Sequence, residues 1–595
     1  MRQDMFVNVP TNASMLLNDV KSGKTGLPEL QRPYVWADSK VRDLLDSMFK
    51  GYPVGYVMLW DSPDDFKHSR AVGTEDKAYT MPDDLVIDGQ QRLTGLLSAM
   101  YGIEIVDKNY KKRIIKISFN PFTKEFAVWT QAYEKNKEWI SEISEVFKAN
   151  QVGNLHTFGT NYISALNDAR TKVKTEPLTT DEENSVHAAL SDLISLGQYS
   201  LPTMRILSSA DEEDVAEIFV RVNSGGQKLN EKNFIETLLS VYDVDIHNKI
   251  TDFCAASRIP QKGTSYNQIL KVDPSHLIRM AVGCGFKRAR LKYAYQLLRG
   301  KDLQRGSGGT VTKERRDANL KIFRDALDRV TNLNDWHAFM NLFVKAGYID
   351  ERFVASTNAV VYSYVLYLIG KYEYKLQTLE LERIIKKWIF MSTLTYFYTG
   401  STETEVEKQF NDLKDVNTGQ EFIDYLDGVI NSTLTDDYFN VTLPKEFVTS
   451  STQAPVWYAY VAAINVLGNP VLFGTSPQAS LLQMAASGTK NAADIHHIFP
   501  KAYLTKQGFT TDRERNQIAN YTYLDYQTNI DIGEQAPAEY TKDFKEKLGN
   551  DRYYKTLSHN AIPSDFDKLD YNTFLAERRV LMSKTIRVAF EELSK

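Results

Sequence analysis

The residues best suited to chemistry lie in the run Ala493-Asp494-Ile495-His496-His497-Ile498-Phe499-Pro500. Only nine histidines occur in 595 residues, and two of them are adjacent here. On a β-strand neighbouring side chains point to opposite faces. One imidazole can therefore bind a metal ion while the next addresses a substrate. A neutral imidazole can take a proton from water for attack on a phosphodiester, and a divalent ion can stabilise the charge that develops. Downstream, Asn520 opens the segment Asn520–Leu524, which alternates like a strand, and Asn529 follows where Thr528 onward reads as a helix start. Strand, loop, strand and helix can bring these polar groups to one point. Asp494 shares a strand face with His496 and is placed to support it.

A second candidate lies near the N-terminus, where a hydrophobic run ends in Asp88-Gly89-Gln90-Gln91-Arg92 and continues with helical spacing. A glycine turn at a helix start presents free N–H groups to an anion. Arg92 can grip phosphate, Asp88 can hold a metal ion or hydroxyl, and Gln90 and Gln91 supply amides. Two other segments fit the same pocket. Gln31-Arg32-Pro33-Tyr34 leads into a helix with Asp38 or Ser39 as its cap. Asn223-Ser224-Gly225-Gly226 makes a tight loop, with Asn230 as the next cap. No GxxxxGK[ST] phosphate loop occurs, so a Walker ATPase is excluded.

The C-terminal constellation resembles the HNH, or ββα-metal, nuclease motif. That resemblance implies that His496 is a metal ligand and His497 the general base. It makes Asn520 the middle Asn that buttresses the loop, and Asn529 the last ligand. Mg²⁺ is implied, with Mn²⁺ or Ni²⁺ also open because His496 stands where Asp or Glu is frequent. In order, QRPYVW, DGQQRLTGL and RVNSGGQKL resemble the ParB/sulfiredoxin-like N-terminal part of GmrSD restriction enzymes. This second resemblance implies a nucleoside triphosphate, whether GTP, CTP, UTP or ATP. Asp88, Gln91 and Arg92 would be central to it, with Gln31, Arg32, Gly89, Gln90, Asn223, Ser224 and Gly225 around them. Together the two imply a modification-dependent (type IV) endonuclease acting on double-stranded phage DNA, with a homodimer possible. A nuclease whose N-terminal domain only recognises DNA, and a non-catalytic DNA-binding or toxin-type protein, remain alternatives.

The composition suits a soluble globular protein, with 43% apolar and 25% charged residues and a net charge of −5. That total hides a local excess. Ten basic residues between Lys287 and Arg316 face only Asp302 and Glu314. Among them Lys287, Arg288, Arg290, Lys292, Arg305, Arg315 and Arg316 are candidates for contact with a DNA backbone. Cys254 and Cys284 cannot make a disulfide framework or a four-thiolate zinc site. A reducing cytoplasm is the expected setting. No signal peptide is read at the start, and Ala355–Ile369 and Ala454–Phe473 read as buried helices rather than membrane spans.

The elements that must position these residues point to a multidomain α+β chain. An α/β domain over residues 1–240 carries strands at Tyr56–Trp60, Leu85–Ile87 and Ile114–Phe119. Its helices fall at Asp38–Lys50 and Leu93–Tyr101, and Lys172–Asn184 reads as a surface connection. A helical domain over 241–445 links DNA contact to a nuclease domain over 446–595, which ends in a helix at Asn572–Leu593.

Overall fold

The computed structural model describes residues 5–26, 34–61, 82–107, 109–210, 214–215, 218, 222, 244–298, 300, 312–486 and 494–595. By compactness the chain divides into two units, Met1–Thr251 and Asp252–Lys595. The helical stretch and the C-terminal histidine segment, two zones by sequence, lie in the same second unit.

The first unit is built on a mixed five-stranded sheet. Its strands are β1 (Phe6–Val9), β2 (Thr25–Gly26), β3 (Val57–Asp61), β4 (Asp84–Asp88) and a late strand, Thr203–Ile206. The late strand lies between β1 and β3, and β4 lies between β3 and β2. Alternation along β3 and β4 decides which face each residue serves. Val57, Leu59 and Val86 join the main core with Leu16, Leu45, Leu93 and Leu97. Met58, Trp60 and Leu85 pack with Ile206 and Val215 in a second cluster.

Helices α1 (Ala13–Lys21), α2 (Asp38–Phe49) and α3 (Gln90–Tyr101) supply the main core, and α2 and α3 lie where their apolar spacing predicts. Asp38 and Ser39 do not cap α2, however. The cap is Ala37, and the Asp38 carboxylate instead accepts two hydrogen bonds from the Arg113 guanidinium at 2.9 and 2.8 Å. The expected connection over Lys172–Asn184 is shorter than its composition suggests. A reciprocal Thr179–Glu182 capping box starts the helix Thr180–Ser195 inside it.

The second unit is mostly helical. Thr357–Tyr372 is buried on nearly every side, which explains its unbroken apolar run, and Pro455–Val466 is likewise a core helix. Among the described residues no helix is long and apolar enough to cross a membrane. Against this helical mass, among the described residues, stands one small antiparallel hairpin of two strands, Asp494–His497 and Tyr521–Leu524.

Candidate active site

The hairpin brings together what the sequence places 33 residues apart. His496 pairs with Thr522 and His497 with Tyr521 across the two strands. Asp525 caps the next helix, Tyr526–Ile532, by accepting from the Thr528 N–H at 2.9 Å. That cap sets the helix start two residues before the expected Thr528. On the first turn of this helix, Asn529 Oδ1 accepts a hydrogen bond from His496 Nδ1 at 2.7 Å. His497 turns to other company. Its Nε2 donates to Asn516 Oδ1 at 3.0 Å, and its ring meets the Tyr521 ring edge-on at 4.8 Å.

Asn520 is fully buried and clamps the bend after the first strand. Its Oδ1 accepts from the Phe499 N–H at 2.8 Å and its Nδ2 donates to the Phe499 carbonyl at 3.0 Å. The Asn520 carbonyl also accepts from the Ile498 N–H at 2.8 Å. A side-chain amide that satisfies the N–H and the C=O of one residue acts as an extra rung of sheet where the strand has ended.

Burial depresses both imidazole pKa values. For His496 burial outweighs the hydrogen bond to Asn529 and brings the pKa down to about 4. His497 is lowered by burial too, with Lys501 and Arg515 adding positive charge nearby. Both rings are therefore neutral at pH 7, the form that binds a metal or accepts a proton. Because His496 Nδ1–H is spent on Asn529, its Nε2 carries the lone pair. That atom is buried and has no hydrogen-bond partner. An orphaned, unprotonated imidazole nitrogen fits a divalent ion. Among the described residues no group of three His, Cys, Asp or Glu could hold one by itself. Asn529, bonded to Nδ1, holds the ring from the side away from Nε2, so the two residues expected as joint ligands meet each other, and an ion at Nε2 would take its other ligands from phosphate and water.

Three supports of this site escaped the sequence reading: Asn516, Tyr571 and Arg578. Asn516 follows a Thr511–Glu514 capping box and ends the short helix Asp512–Arg515. The pattern Thr-x-x-Glu with a trailing Asn is a helix signature that could have found it. Tyr571 and Arg578, on the helix Tyr571–Glu592, leave no local signal, because their partners are distant in sequence.

The N-terminal turn is arranged differently. Gly89 closes it with φ +96°, and a Cβ there would lie 3.1 Å from Val57 Cγ2, so both the backbone conformation and the close approach favour glycine. No side chain caps the start of α3. The side chains expected to meet a ligand are bonded to the protein's own backbone. Gln90 donates to the Val86 carbonyl at 3.0 Å, Gln91 accepts from the Val35 N–H at 3.0 Å, and Arg92 donates to the Val54 carbonyl at 2.9 Å. Arg92 also lies 3.6 Å from Asp88. The segment after Pro33 thus reaches the Asp88–Arg92 turn through Val35. Tyr34 packs against Gly95, where a Cβ would fall 2.7 Å from its hydroxyl. Gln31, Arg32, Asn223, Ser224 and Gly225 lie outside the described residues.

In the basic segment, part of the charge is already paired. Lys287 bonds Glu373, and Arg288 meets Glu407 at 3.2 Å. Glu407 also accepts the Ala289 and Arg290 N–H groups, at 2.7 and 3.2 Å. Arg290 donates to Thr404 at 3.2 Å. Arg315 and Arg316 lie on the helix Lys313–Val330, where Arg316 is 3.9 Å from Asp317. Lys292 lies on the helix Leu291–Leu298, and Arg305 falls outside the described residues.

With this geometry in hand, the chain can be compared with known proteins. Residues 14–240 match the family described as "GmrSD restriction endonuclease, N-terminal domain", a span that includes all but the first residue of α1, the helices α2 and α3, and the Asp88–Arg92 turn. The match supports a GmrSD-like restriction endonuclease as the class to which the first unit is related. The likeness to one particular protein runs further. An uncharacterized protein of Methanocaldococcus jannaschii, MJ0686, is 21% identical over 601 residues, covering 98% of this chain and 93% of its own length.

Proposed function

We propose that the chain is a restriction-type DNA endonuclease whose C-terminal hairpin cuts phosphodiesters with a divalent metal ion. The observation that carries the reading is the contact of His496 with Asn529, with His497 beside it and Asn520 clamping the bend. This is the order of roles in an HNH nuclease. His497 takes the proton from the attacking water, and Asn520 holds the bend that follows it. His496 would hold Mg²⁺, or Mn²⁺ or Ni²⁺, through Nε2, with Asn529 fixing the ring at Nδ1 and able to join as a ligand only by leaving that bond; the ion would stabilise charge on the phosphate and leaving oxygen. Lys287, Arg288, Arg290, Lys292, Arg305, Arg315 and Arg316 are the basic residues that would contact the DNA backbone, Lys287 and Arg288 after leaving their carboxylates.

The first unit, in this reading, binds a nucleoside triphosphate at the start of α3 and senses modified phage DNA in the bacterial cytoplasm. Asp88 faces the metal or water there. One observation favours a second reading, in which this unit recognises DNA without turning nucleotide over. Gln90, Gln91 and Arg92 are already engaged by backbone groups.

A cleavage panel tests the proposal. Modified and unmodified phage DNA are incubated with Mg²⁺ or Mn²⁺, with and without each nucleotide. Cleavage by the wild type and its loss by about 10²- to 10⁴-fold in His497→Ala is the expected result. Equal cutting by both would overturn it. Phosphate release above the level of Asp88→Ala separates nucleotide hydrolysis from recognition alone.

A further inference from the structure

We infer that Asn516 is a positioning residue: held from both sides by the helix Tyr571–Glu592, it fixes the His497 ring by its Nε2–H and leaves Nδ1 unprotonated. The inference rests on the nuclease reading, in which His497 is the base.

A neutral imidazole has two tautomers, and the partner of one nitrogen decides which is present. His497 Nε2 is 3.0 Å from Asn516 Oδ1, an oxygen that can only accept. No described residue bonds Nδ1. The Tyr521 ring, edge-on at 4.8 Å, restricts the imidazole without competing for either nitrogen.

Asn516 has an unusually firm mounting for a residue between a short helix and a strand. Its N–H donates to the Asp512 carbonyl at 2.9 Å. Just before it, the Tyr571 hydroxyl donates to the Glu514 and Arg515 carbonyls at 3.0 and 3.2 Å. Just after it, Arg579 donates to Gln517 Oε1 at 3.0 Å and Arg578 to the Ala519 carbonyl at 2.7 Å. Arg578 is fully buried. Burying a guanidinium is costly unless it is tied to partners. Here the tie is to a segment whose central side chain holds the histidine. The hairpin is therefore not self-sufficient. A helix outside it sets the loop, the loop sets Asn516, and Asn516 sets the ring.

The test uses the full chain labelled with ¹⁵N-histidine, with the His497 signal identified by its absence in His497→Gln. The expected wild-type spectrum shows His497 as the Nε2–H form. Asn516→Ala should show both forms at unchanged melting temperature, with kcat about 10- to 100-fold lower and KM within about twofold. Asn516→Asp restores an accepting oxygen and should recover the single form and most of kcat. An Nδ1–H form in the wild type, or an Asn516→Ala protein with unaltered tautomer and kcat, overturns the inference. Where Asn516→Ala does not fold, Asn516→Asp decides: retention of the Nε2–H form supports the inference, and a mixture defeats it. Wild-type cleavage by His497→Ala would instead defeat the nuclease reading, leaving the tautomer result to stand or fall by itself.

Discussion

The C-terminal hairpin and the Asp88–Arg92 turn are both short, polar and glycine- or histidine-marked, yet they treat their polar atoms in opposite ways. At the hairpin, each imidazole binds the protein through one nitrogen and keeps the other in reserve. His496 Nε2 has no partner although it is buried. At the turn, Gln90, Gln91 and Arg92 each bond a backbone group and so fasten α3 to its neighbours. Leaving a buried polar atom unsatisfied costs on the order of 1–3 kcal/mol. In the proposed reading that cost is met when an ion binds Nε2, whereas Gln90, Gln91 and Arg92 at the turn are already engaged by the protein's own backbone.

The contrast can be tested most strongly through pH. Folding takes the His496 pKa from 6.5 to about 4, so below pH 6.5 the unfolded chain binds a proton that the folded chain refuses. Stability is whole above that pH and is lost as pH falls toward 4, by about 3 kcal/mol in total. Denaturant midpoints of chelator-treated protein should show this loss, and His496→Gln should flatten it. Mn²⁺ should move the loss to lower pH, because metal and proton compete for one nitrogen. No effect of Mn²⁺ would erase the contrast from the hairpin side.

Arg92→Ala attacks the contrast from the other side. Losing its charged hydrogen bond to the Val54 carbonyl should destabilise the first unit by about 2 kcal/mol, read from the unfolding midpoint. Unchanged stability with a lost nucleotide affinity would instead make Arg92 a ligand contact. The smallest effect belongs to Gly89→Ala. The left-handed backbone and the approach to Val57 should together cost about 1 kcal/mol, and Gly89→Asn, tolerant of that conformation, should cost less.

Much of this arrangement was legible from local pattern. The histidine strand, the Tyr521–Leu524 strand, and helices α2 and α3 all follow from spacing. Strands predicted at Tyr56–Trp60 and Leu85–Ile87 lie one residue off at each end, as Val57–Asp61 and Asp84–Asp88. That His496 and Asn529 come together could be expected from the order strand, loop, strand and helix, but not that they bond each other directly. The fates of Arg92, Lys287 and Arg288 were not legible. Each is bound by a group 38 or more positions away, and composition shows a charge but not its partner. Asp38 illustrates the same gap: its type suits a cap, and a distant arginine claims it. Asn516 lay between these cases, with its helix signature visible and its histidine partner not.

The dependence of Asn516 on the helix Tyr571–Glu592 has a consequence for synthesis. A ribosome makes the histidine pair well before it makes Tyr571 and Arg578. Until those residues emerge, the Glu514, Arg515 and Ala519 carbonyls lack the contacts that steady the loop. A nascent or prematurely terminated chain thus holds the histidine pair before the contacts that steady Asn516 exist.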